Sequence, residues 1–267
     1  MKNIRHMRFV EDAIDVIYKM YLNGWDERNG GNFSYLLKEE EAKIFKNKKP
    51  KRVVEIPFDA SGIKNRFVLV TATGQFFRNV MKYPEEVLGI IKITEDGKHF
   101  GVYWGFKNNG KPTSEFPSHI LCHIERLKHD PNQRVVIHTH ATFTLALTYM
   151  LPEDEREITR TLWKMSTECA TVFPEGVGYL PWEMCGTIQI GEHTAQKMEK
   201  YKIVLWSMHG VYASGDSLNE AFGLVETVEK AAMIYCITEN HRKREIEDSS
   251  IKALGEAFHV TLNKEML

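Results

Sequence analysis

Apolar residues recur along the chain with two spacings, one typical of helices and the other of strands. Near the N-terminus, Phe9, Ala13, Val16, Ile17 and Met20 follow the helical spacing and predict an amphipathic helix. Similar spacing predicts further helices after Pro112 and near residues 141–149, 153–164, 187–200, 217–239 and 247–258. Runs of β-branched and aromatic residues predict strands at residues 33–37, 66–71, 87–93, 99–105, 134–140, 176–182 and 203–210.

The order of these elements defines the expected fold class. Helices interleave with strands, which is typical of an α/β protein. The segment Glu95-Asp-Gly97 joins two predicted strands and is a hairpin signal, so we expect the sheet to be at least partly antiparallel. No repeat or low-complexity linker divides the sequence, so we expect one domain over residues 1–267, with a charged surface excursion at residues 38–62.

Composition and charge exclude several classes of protein. The net charge is -1 and the pI is about 6.8, which does not suit a protein that neutralises nucleic-acid phosphates or anionic lipid. The four cysteines are scattered and are expected to be reduced thiols. The N-terminus lacks a signal-peptide pattern, and no apolar run approaches the roughly 18 residues that span a bilayer. We therefore expect a soluble, cytoplasmic protein.

Two histidines at the end of a predicted strand are the first candidates for chemistry. In the segment RVVIHTHAT, His138 and His140 are two residues apart, so their side chains point to the same side of the strand. His209, at the end of another apolar strand and followed by Gly210, is the best third candidate. Three imidazoles and an open position are typical of a catalytic zinc site, although iron, cobalt or nickel would also suit these ligands.

A second pair of histidines competes for the same interpretation. His119 and His123 are four residues apart on the helix predicted after Pro112, which is also a metal spacing. We expect Thr113 or Ser114 to cap that helix. Its predicted apolar face excludes both histidines and consists of Ile120, Leu121, Ile124 and Leu127. We therefore expect this pair not to bind the metal.

Two glutamates, two turns and one helix start complete the candidates. Glu115 and Glu168 are candidate proton carriers. Glu115 at a helix start can also simply stabilise the helix dipole, and the local pattern by itself favours an ordinary N-terminal or loop carboxylate for Glu168. Turns at Asn29–Asn32 and Thr71–Gly74, and the predicted helix start at Thr113-Ser114, can direct backbone N–H groups towards an anion such as phosphate.

Six segments in order give the sequence a close resemblance to the class II aldolase/adducin family. They are GWDERNGGN, TGQFFRNV, PTSE, HTHAT, STECATVFPEGVGYLPW and MHG. The resemblance implies a central, largely antiparallel sheet flanked by helices, a zinc ion in each subunit and assembly as a cyclic homotetramer. It also implies reversible aldol cleavage of L-rhamnulose 1-phosphate, in L-rhamnose degradation, to dihydroxyacetone phosphate and L-lactaldehyde.

The resemblance assigns roles to individual residues. His138, His140 and His209 match the zinc ligands, and Glu115 matches the catalytic acid/base. Glu168 matches a carboxylate that reaches into a neighbouring subunit's site. The positions that hold the substrate phosphate are matched by Asn29, Asn32, Thr73, Gly74 and Ser114. Two positions depart from the family pattern: Thr73 stands in place of a serine, and Phe143 follows the HTHAT segment in place of a polar residue.

Other functions remain open from the sequence. An L-fuculose-1-phosphate aldolase or a pentulose-phosphate 4-epimerase of the same superfamily would keep the three histidines. A non-catalytic, adducin-like binding module would share the fold but lose the metal ligands, and a structural zinc site would need a fourth protein ligand. No nucleic-acid or membrane partner is expected.

Overall fold

The computed structural model describes residues 3–267, which form one nine-stranded sheet with helices on both faces. The strands are β1 (Asn32–Leu36), β2 (Arg52–Glu55), β3 (Phe67–Thr71), β4 (Leu88–Ile93), β5 (His99–Gly105), β6 (Val135–Thr139), β7 (Gly178–Leu180), β8 (Ile203–Trp206) and β9 (Gly210–Gly215). Their order across the sheet is β2-β5-β4-β3-β1-β6-β9-β8-β7. Of the strand pairs in residues 3–267, β7–β8 is parallel and the others are antiparallel. The predicted fold class is confirmed.

All of the predicted helices are present. The helices are α1 (Arg8–Leu22), α2 (Glu39–Ala42), α3 (Pro84–Val87), α4 (Phe116–His129), α5 (Thr142–Met150), α6 (Glu155–Met165), α7 (Cys169–Val172), α8 (Ile188–Lys197), α9 (Leu218–Thr238) and α10 (Asp248–Ala257). The five apolar residues that predicted α1 are all buried in the core. Within residues 3–267, none of the helices combines the length and apolarity needed to cross a bilayer.

Both faces of the sheet are buried, and alternate residues of each strand belong to different layers. In β6, Val135 and Ile137 join the core formed with α1, α5, α6 and α9, whereas Val136 faces the opposite side. On that opposite side the sheet is covered by α4 and α8, which also pack against each other. This burial explains why β6 appears in the sequence as an uninterrupted apolar run. His138 has the same parity as Val136 and therefore faces the α4 side.

Three local predictions were wrong. The strand predicted at residues 203–210 is two strands, because β8 ends at Trp206 and β9 starts at Gly210, so His209 lies in the turn between them. Within residues 3–267, helix α4 has Glu115 as its N-cap, without a side-chain cap hydrogen bond, so neither Thr113 nor Ser114 is the cap. The hydroxyl of Thr113 accepts from the N–H of Glu115 itself, at 3.3 Å. The face of α4 that contains His119 and His123 is fully buried, whereas Leu121, Ile124 and Leu127 are half-buried.

The charged segment at residues 38–62 is tied to the sheet at several points. It contains α2 and the edge strand β2, which pairs with β5. Its buried Phe45 stacks on Phe67, with ring centroids 5.0 Å apart. The charged residues therefore surround a strand and an aromatic anchor that the charge pattern did not indicate.

Candidate active site

The site is built on a row of residues that crosses three neighbouring strands. Asn32 of β1 pairs with His138 of β6, which in turn pairs with Tyr212 of β9. Because directly paired residues of adjacent strands point to the same face, all three side chains project towards α4. The rings of His138 and Tyr212 stack, with centroids 4.5 Å apart. All three residues are buried.

Glu115 lies over this row because α4 begins directly after it. Its Oε2 accepts hydrogen bonds from Asn32 Nδ2 at 2.8 Å and from the Tyr212 hydroxyl at 2.9 Å. The same oxygen is 3.4 Å from His138 Nε2, and Oε1 is 3.7 Å from His209 Nε2. Among residues 3–267, Oε1 has no hydrogen-bond donor. The two carboxyl oxygens therefore differ, since one is held by the protein and the other is free.

Burial raises the pKa of the Glu115 carboxyl, while the hydrogen bonds from Asn32 and Tyr212 and the nearby His140 lower it. The side chain is only 6% exposed, which accounts for the dominance of burial. The hydroxyl of Tyr212 is itself held as a donor, because burial and the Glu115 charge raise its pKa well above the ordinary value. A carboxyl with a raised pKa beside a cavity is suited to exchange a proton with a bound molecule.

The structure brings His138, His140 and His209 together. One ring nitrogen from each lies within 4.8 Å of the others. The ring centroid of His209 is 5.0 Å from that of His138 and 5.0 Å from that of His140. His209 reaches this position from the β8–β9 turn, in which Met208 adopts a left-handed backbone conformation with φ of 56°. The Met208 N–H donates to Thr148 Oγ1 at 3.0 Å, which stabilises the turn.

Hydrogen bonds behind two of the imidazoles set which nitrogen faces the cluster. Nδ1 of His138 donates to the carbonyl oxygen of Val211 at 3.2 Å, so its Nε2 presents a lone pair. Nδ1 of His140 lies 2.9 Å from a carboxyl oxygen of Glu27, an arrangement that orients metal-binding histidines in many proteins. Burial lowers the pKa of His138 well below its ordinary value and that of His209 to about 4, so both rings are neutral.

Two glycines allow the imidazoles and the backbone to approach closely. A Cβ on Gly210 would lie 2.4 Å from the Thr139 carbonyl oxygen and 3.1 Å from the His138 ring. A Cβ on Gly30 would lie 2.9 Å from the His140 ring. Neither gap accommodates a methyl group without displacement of its neighbours, so glycine is required for this geometry.

The cluster lines a cavity of about 170 Å³ that also contains the predicted phosphate positions. The cavity is lined by Asn29, Gly30, Gly31, Asn32, Ala72, Thr73, Gly74, Thr113, Ser114, Glu115, His138, His140 and His209. The amide of Asn32 is already bonded at both ends inside the protein, to Glu115 and to His119. At Gly74, where φ is +70°, no described atom lies within 4 Å of an added Cβ, so this edge of the cavity is open.

Four residues discussed from the sequence lie away from this cavity lining. Glu168 is exposed at the start of α7 and accepts a hydrogen bond from Ser166 Oγ at 2.6 Å. Phe143 packs against the core, and its N–H donates to Glu229 on α9 at 2.9 Å. His119 and His123 both contact Ser34 Oγ, and neither is in a metal-capable group in the part of the chain described.

Sequence reasoning missed three residues of the site. Glu27 lies in the GWDERNGGN segment, where nothing local indicates that it meets His140. Tyr212 was missed because β9 was not recognised as a strand; once it is, alternation and pairing with β6 identify the residue. Cys185 is exposed, and its sulfur forms a second possible ligand group with Glu115 and His209, all within 4.8 Å.

The residues present fit a divalent metal ion. The donor set is three imidazole nitrogens, and the buried Nε2 of His138 has no hydrogen-bond partner in residues 3–267. An unpaired, fully buried nitrogen is costly in a folded protein, and coordination of a cation removes that cost. Three imidazole nitrogen ligands with a cavity on their open side are typical of catalytic metal sites.

Comparisons with known proteins show the family of this chain. The family model for the class II aldolase and adducin N-terminal domain matches residues 11–236. A rhamnulose-1-phosphate aldolase of Listeria monocytogenes is 45% identical over 262 residues, which are 97% of this chain and 96% of that protein. A rhamnulose-1-phosphate aldolase of Mannheimia succiniciproducens is 44% identical over 266 residues, which are 98% of each chain.

Solved structures give the same result at the level of the fold. A sugar-phosphate aldolase from Thermotoga maritima has a TM-score of 0.75 and 31% identity, covering 89% of this chain and 99% of that one. The family match thus spans the sheet and every residue that lines the cavity. The chain belongs to the class II aldolase and adducin family.

Proposed function

We propose that this metal-dependent aldolase reversibly cleaves L-rhamnulose 1-phosphate to dihydroxyacetone phosphate and L-lactaldehyde. The observation that carries the proposal is the meeting of Glu115 with His138, His140 and His209 at one cavity, in a chain of this family. The choice of substrate is supported by the near full-length similarity to rhamnulose-1-phosphate aldolases.

The three imidazoles would hold the metal ion, and zinc is the proposed identity. A divalent cation in this position supplies a Lewis acid that offsets the negative charge developing on substrate oxygens as the carbon–carbon bond breaks. Val211 and Glu27 keep the coordinating nitrogens of His138 and His140 directed towards the cavity. No lysine is needed as a nucleophile in such a site.

Glu115 would carry the proton. In the cleavage direction it protonates the carbon of the three-carbon phosphate half that loses its bond, and in synthesis it removes that proton. Oε1 is the oxygen suited to this task, because Oε2 already accepts two hydrogen bonds. The raised pKa of the carboxyl favours a group that can be protonated and deprotonated during turnover.

The phosphate group would bind at the opposite side of the cavity. Asn29, Thr73, Gly74 and Ser114 supply backbone N–H groups, hydroxyls and an amide, and the adjacent start of α4 favours an anion. The hydroxyl of Thr73 replaces that of the serine typical of the family. We assign Asn32 to the positioning of Glu115, since its amide is already engaged.

We further propose that the enzyme is a homotetramer in which Glu168 enters a neighbouring subunit's site and handles the aldehyde-side hydroxyl. Glu168 is exposed and does not line its own chain's cavity. The cavity of about 170 Å³ is smaller than the roughly 300 Å³ at which ligand pockets begin, which supports completion by a second copy. The four unpaired cysteines of residues 3–267 suit a reducing compartment and support a cytoplasmic location.

A coupled assay on protein of known metal content tests this function. Dihydroxyacetone phosphate and free lactaldehyde should form from L-rhamnulose 1-phosphate, with a higher kcat/KM than from L-fuculose 1-phosphate. Chelation should abolish the activity, and zinc should restore it. An epimeric sugar phosphate without lactaldehyde would indicate an epimerase, and absence of any turnover by zinc-loaded protein would favour a binding module.

Replacement of the proposed acid/base tests its role separately. Glu115→Gln should keep the fold and bind zinc but lose about 10²–10⁴-fold in kcat, the range typical of general acid–base catalysis. Glu125→Gln, a change on the same helix at a half-buried side chain that pairs with Lys128 and His129 and does not line the cavity, serves as the control and should retain kcat. A Glu115→Gln enzyme with near-normal cleavage would remove Glu115 from the mechanism.

A further inference from the structure

A chain of buried side chains leads from Glu115 away from the cavity and into the protein. Asn32 contacts Glu115 through Nδ2 and His119 Nε2 through Oδ1. His119 Nδ1 is 2.7 Å from Ser34 Oγ, which is in turn 2.8 Å from His123 Nε2. All of these residues are buried, and the last three are fully inaccessible to solvent.

The donors and acceptors of this chain can be assigned from the carboxylate inwards. An ionised Glu115 only accepts, so the NH₂ group of Asn32 faces it and the carbonyl oxygen of Asn32 faces His119. His119 must then carry its proton on Nε2 and accept at Nδ1 from the Ser34 hydroxyl. The oxygen of Ser34 accepts from His123, which is therefore also protonated on Nε2.

The inner end of this hydrogen-bonded series, at His123, opposes a reversal of its donors and acceptors. Nδ1 of His123 is buried without a hydrogen-bond partner among the residues that the structure describes. Burial lowers the pKa of His123 to about 3, with help from the positive charges of Arg66 and Arg134. Reversal would place an N–H on Nδ1, near these cations and without an acceptor, which is less favourable than a bare nitrogen.

We propose that His119 and His123, acting through Ser34 and Asn32, are positioning residues that keep the Asn32 NH₂ group on Glu115 Oε2 and so confine the catalytic proton to Oε1. The proposal rests on the proposed role of Glu115 as the acid/base. Two donors on Oε2 leave Oε1, near His209, as the oxygen without a donor. A flipped Asn32 amide would turn its carbonyl oxygen towards the Glu115 carboxylate. Repulsion between the two acceptors would then displace the carboxylate.

A histidine that merely fills the core would not need this particular tautomer, so the tautomer is the first test. Long-range ¹H–¹⁵N correlation spectra of metal-free, histidine-labelled protein would be recorded, with His119→Gln and His123→Gln used to assign the signals. The proposal expects neutral rings protonated on Nε2 at both positions. A proton on Nδ1 of His119 would overturn it, since Asn32 would then have no donor to fix its amide.

Kinetics provide the second test, using zinc-loaded enzyme. His119→Leu should lower kcat about 10-fold or more, the value of one hydrogen bond to a charged group, while KM and zinc affinity stay within about twofold. His119→Gln, which can still donate to Asn32, should recover most of that kcat. Ser34→Ala removes the middle link with little loss of volume and should lower kcat in the same direction.

The control is Ile120→Val, a buried change on the same helix that does not touch the chain. If His119→Leu and Ser34→Ala keep kcat at the level of Ile120→Val, the inference is wrong. If Glu115→Gln is inactive in that case, the proposed function survives without it. If instead Glu115→Gln cleaves the substrate normally, Glu115 is not the acid/base and the inference loses its premise, whereas the aldolase activity itself stands.

Discussion

The environments of single side chains determine what each group at the site can do. Glu115 has one oxygen fixed by two donors and one oxygen free, and this asymmetry comes from Asn32 and Tyr212 on separate strands. His140 is oriented by a carboxylate, whereas His138 is oriented by a backbone carbonyl. Neighbouring groups of the same chemical type therefore differ in how easily a mutation disturbs them.

Glu27 offers the cleanest test of this orientation. Glu27→Gln should weaken zinc binding about 10–100-fold, because the amide is a poorer partner for the Nδ1–H of His140 than the carboxylate. Stability should hardly change, since the Glu27 side chain is 70% exposed. Competition with a chelating dye measures the affinity, and Glu11→Gln, an exposed change on α1, serves as the control. Equal affinities for the two variants would show that Glu27 does not orient the ligand.

At the scale of secondary structure, close packing between β6 and β9 holds the three clustered histidines together. Gly210 begins β9 directly after His209, and there is no space for a side chain between it and the Thr139 carbonyl oxygen. The two strands pair from Val135–Gly215 to Thr139–Val211. Any widening at this end would move His209 away from His138 and His140.

Gly210→Ala should therefore reduce both stability and zinc affinity. We expect a loss of about 2 kcal/mol or more in the free energy of unfolding, because the added methyl overlaps backbone and not a flexible side chain. Gly223→Ala in α9 is the matched control: no described atom lies within 4 Å of its Cβ, and alanine favours helix. Urea unfolding of the metal-free proteins measures the difference. Similar curves for the two variants would contradict the packing argument.

The predictability of these elements depended on how local their determinants are. The shared face of His138 and His140 follows from strand alternation alone, so the sequence was sufficient. The position of Tyr212 depends on pairing between β6 and β9, which are 70 residues apart in the chain, and was missed. The buried face of α4 was misjudged because hydropathy excludes histidines, although Ser34 hydrogen-bonds both of them within the core.

For the whole molecule, a sheet covered on both faces places polar groups inside the protein. The family resemblance was sufficient to predict the central sheet, its mainly antiparallel pairing and which three histidines cluster. The edge strand β2 and the split between β8 and β9 were not predictable, because charge and a short turn concealed them. The Asn32 amide was expected to face a phosphate, whereas the folded chain directs it to Glu115.

Buried neutral histidines also make global stability depend on pH. The pKa of His123 is about 3 in the folded protein and near its ordinary value of 6.5 in the unfolded chain. Below pH 6.5, His123 binds a proton in the unfolded chain but stays neutral in the folded protein. The contribution of His123 to the free energy of unfolding is therefore fully present above pH 6.5. It falls by up to about 1.4 kcal/mol per pH unit towards pH 3. The raised carboxyl pKa values of Asp26 and Glu115 act in the opposite direction.

The difference between two variants isolates the contribution of His123. Between pH 7.5 and pH 5, the unfolding free energy of metal-free His123→Gln should fall less steeply than that of the unmodified protein. The difference in slope should approach the value for the uptake of one proton on unfolding. Ile120→Val lowers stability without removing a titrating group and should keep the original slope. Parallel pH profiles for His123→Gln and the unmodified protein would contradict the burial of a neutral ring.

The convergence of His138, His140 and His209 on one ion is the central claim, and X-ray absorption at the zinc edge tests it most directly. One zinc per chain should show three imidazole nitrogens at about 2.0–2.1 Å, and His209→Ala should lose one of them. A spectrum with fewer than three imidazoles, or one that His209→Ala leaves unchanged, would contradict the account.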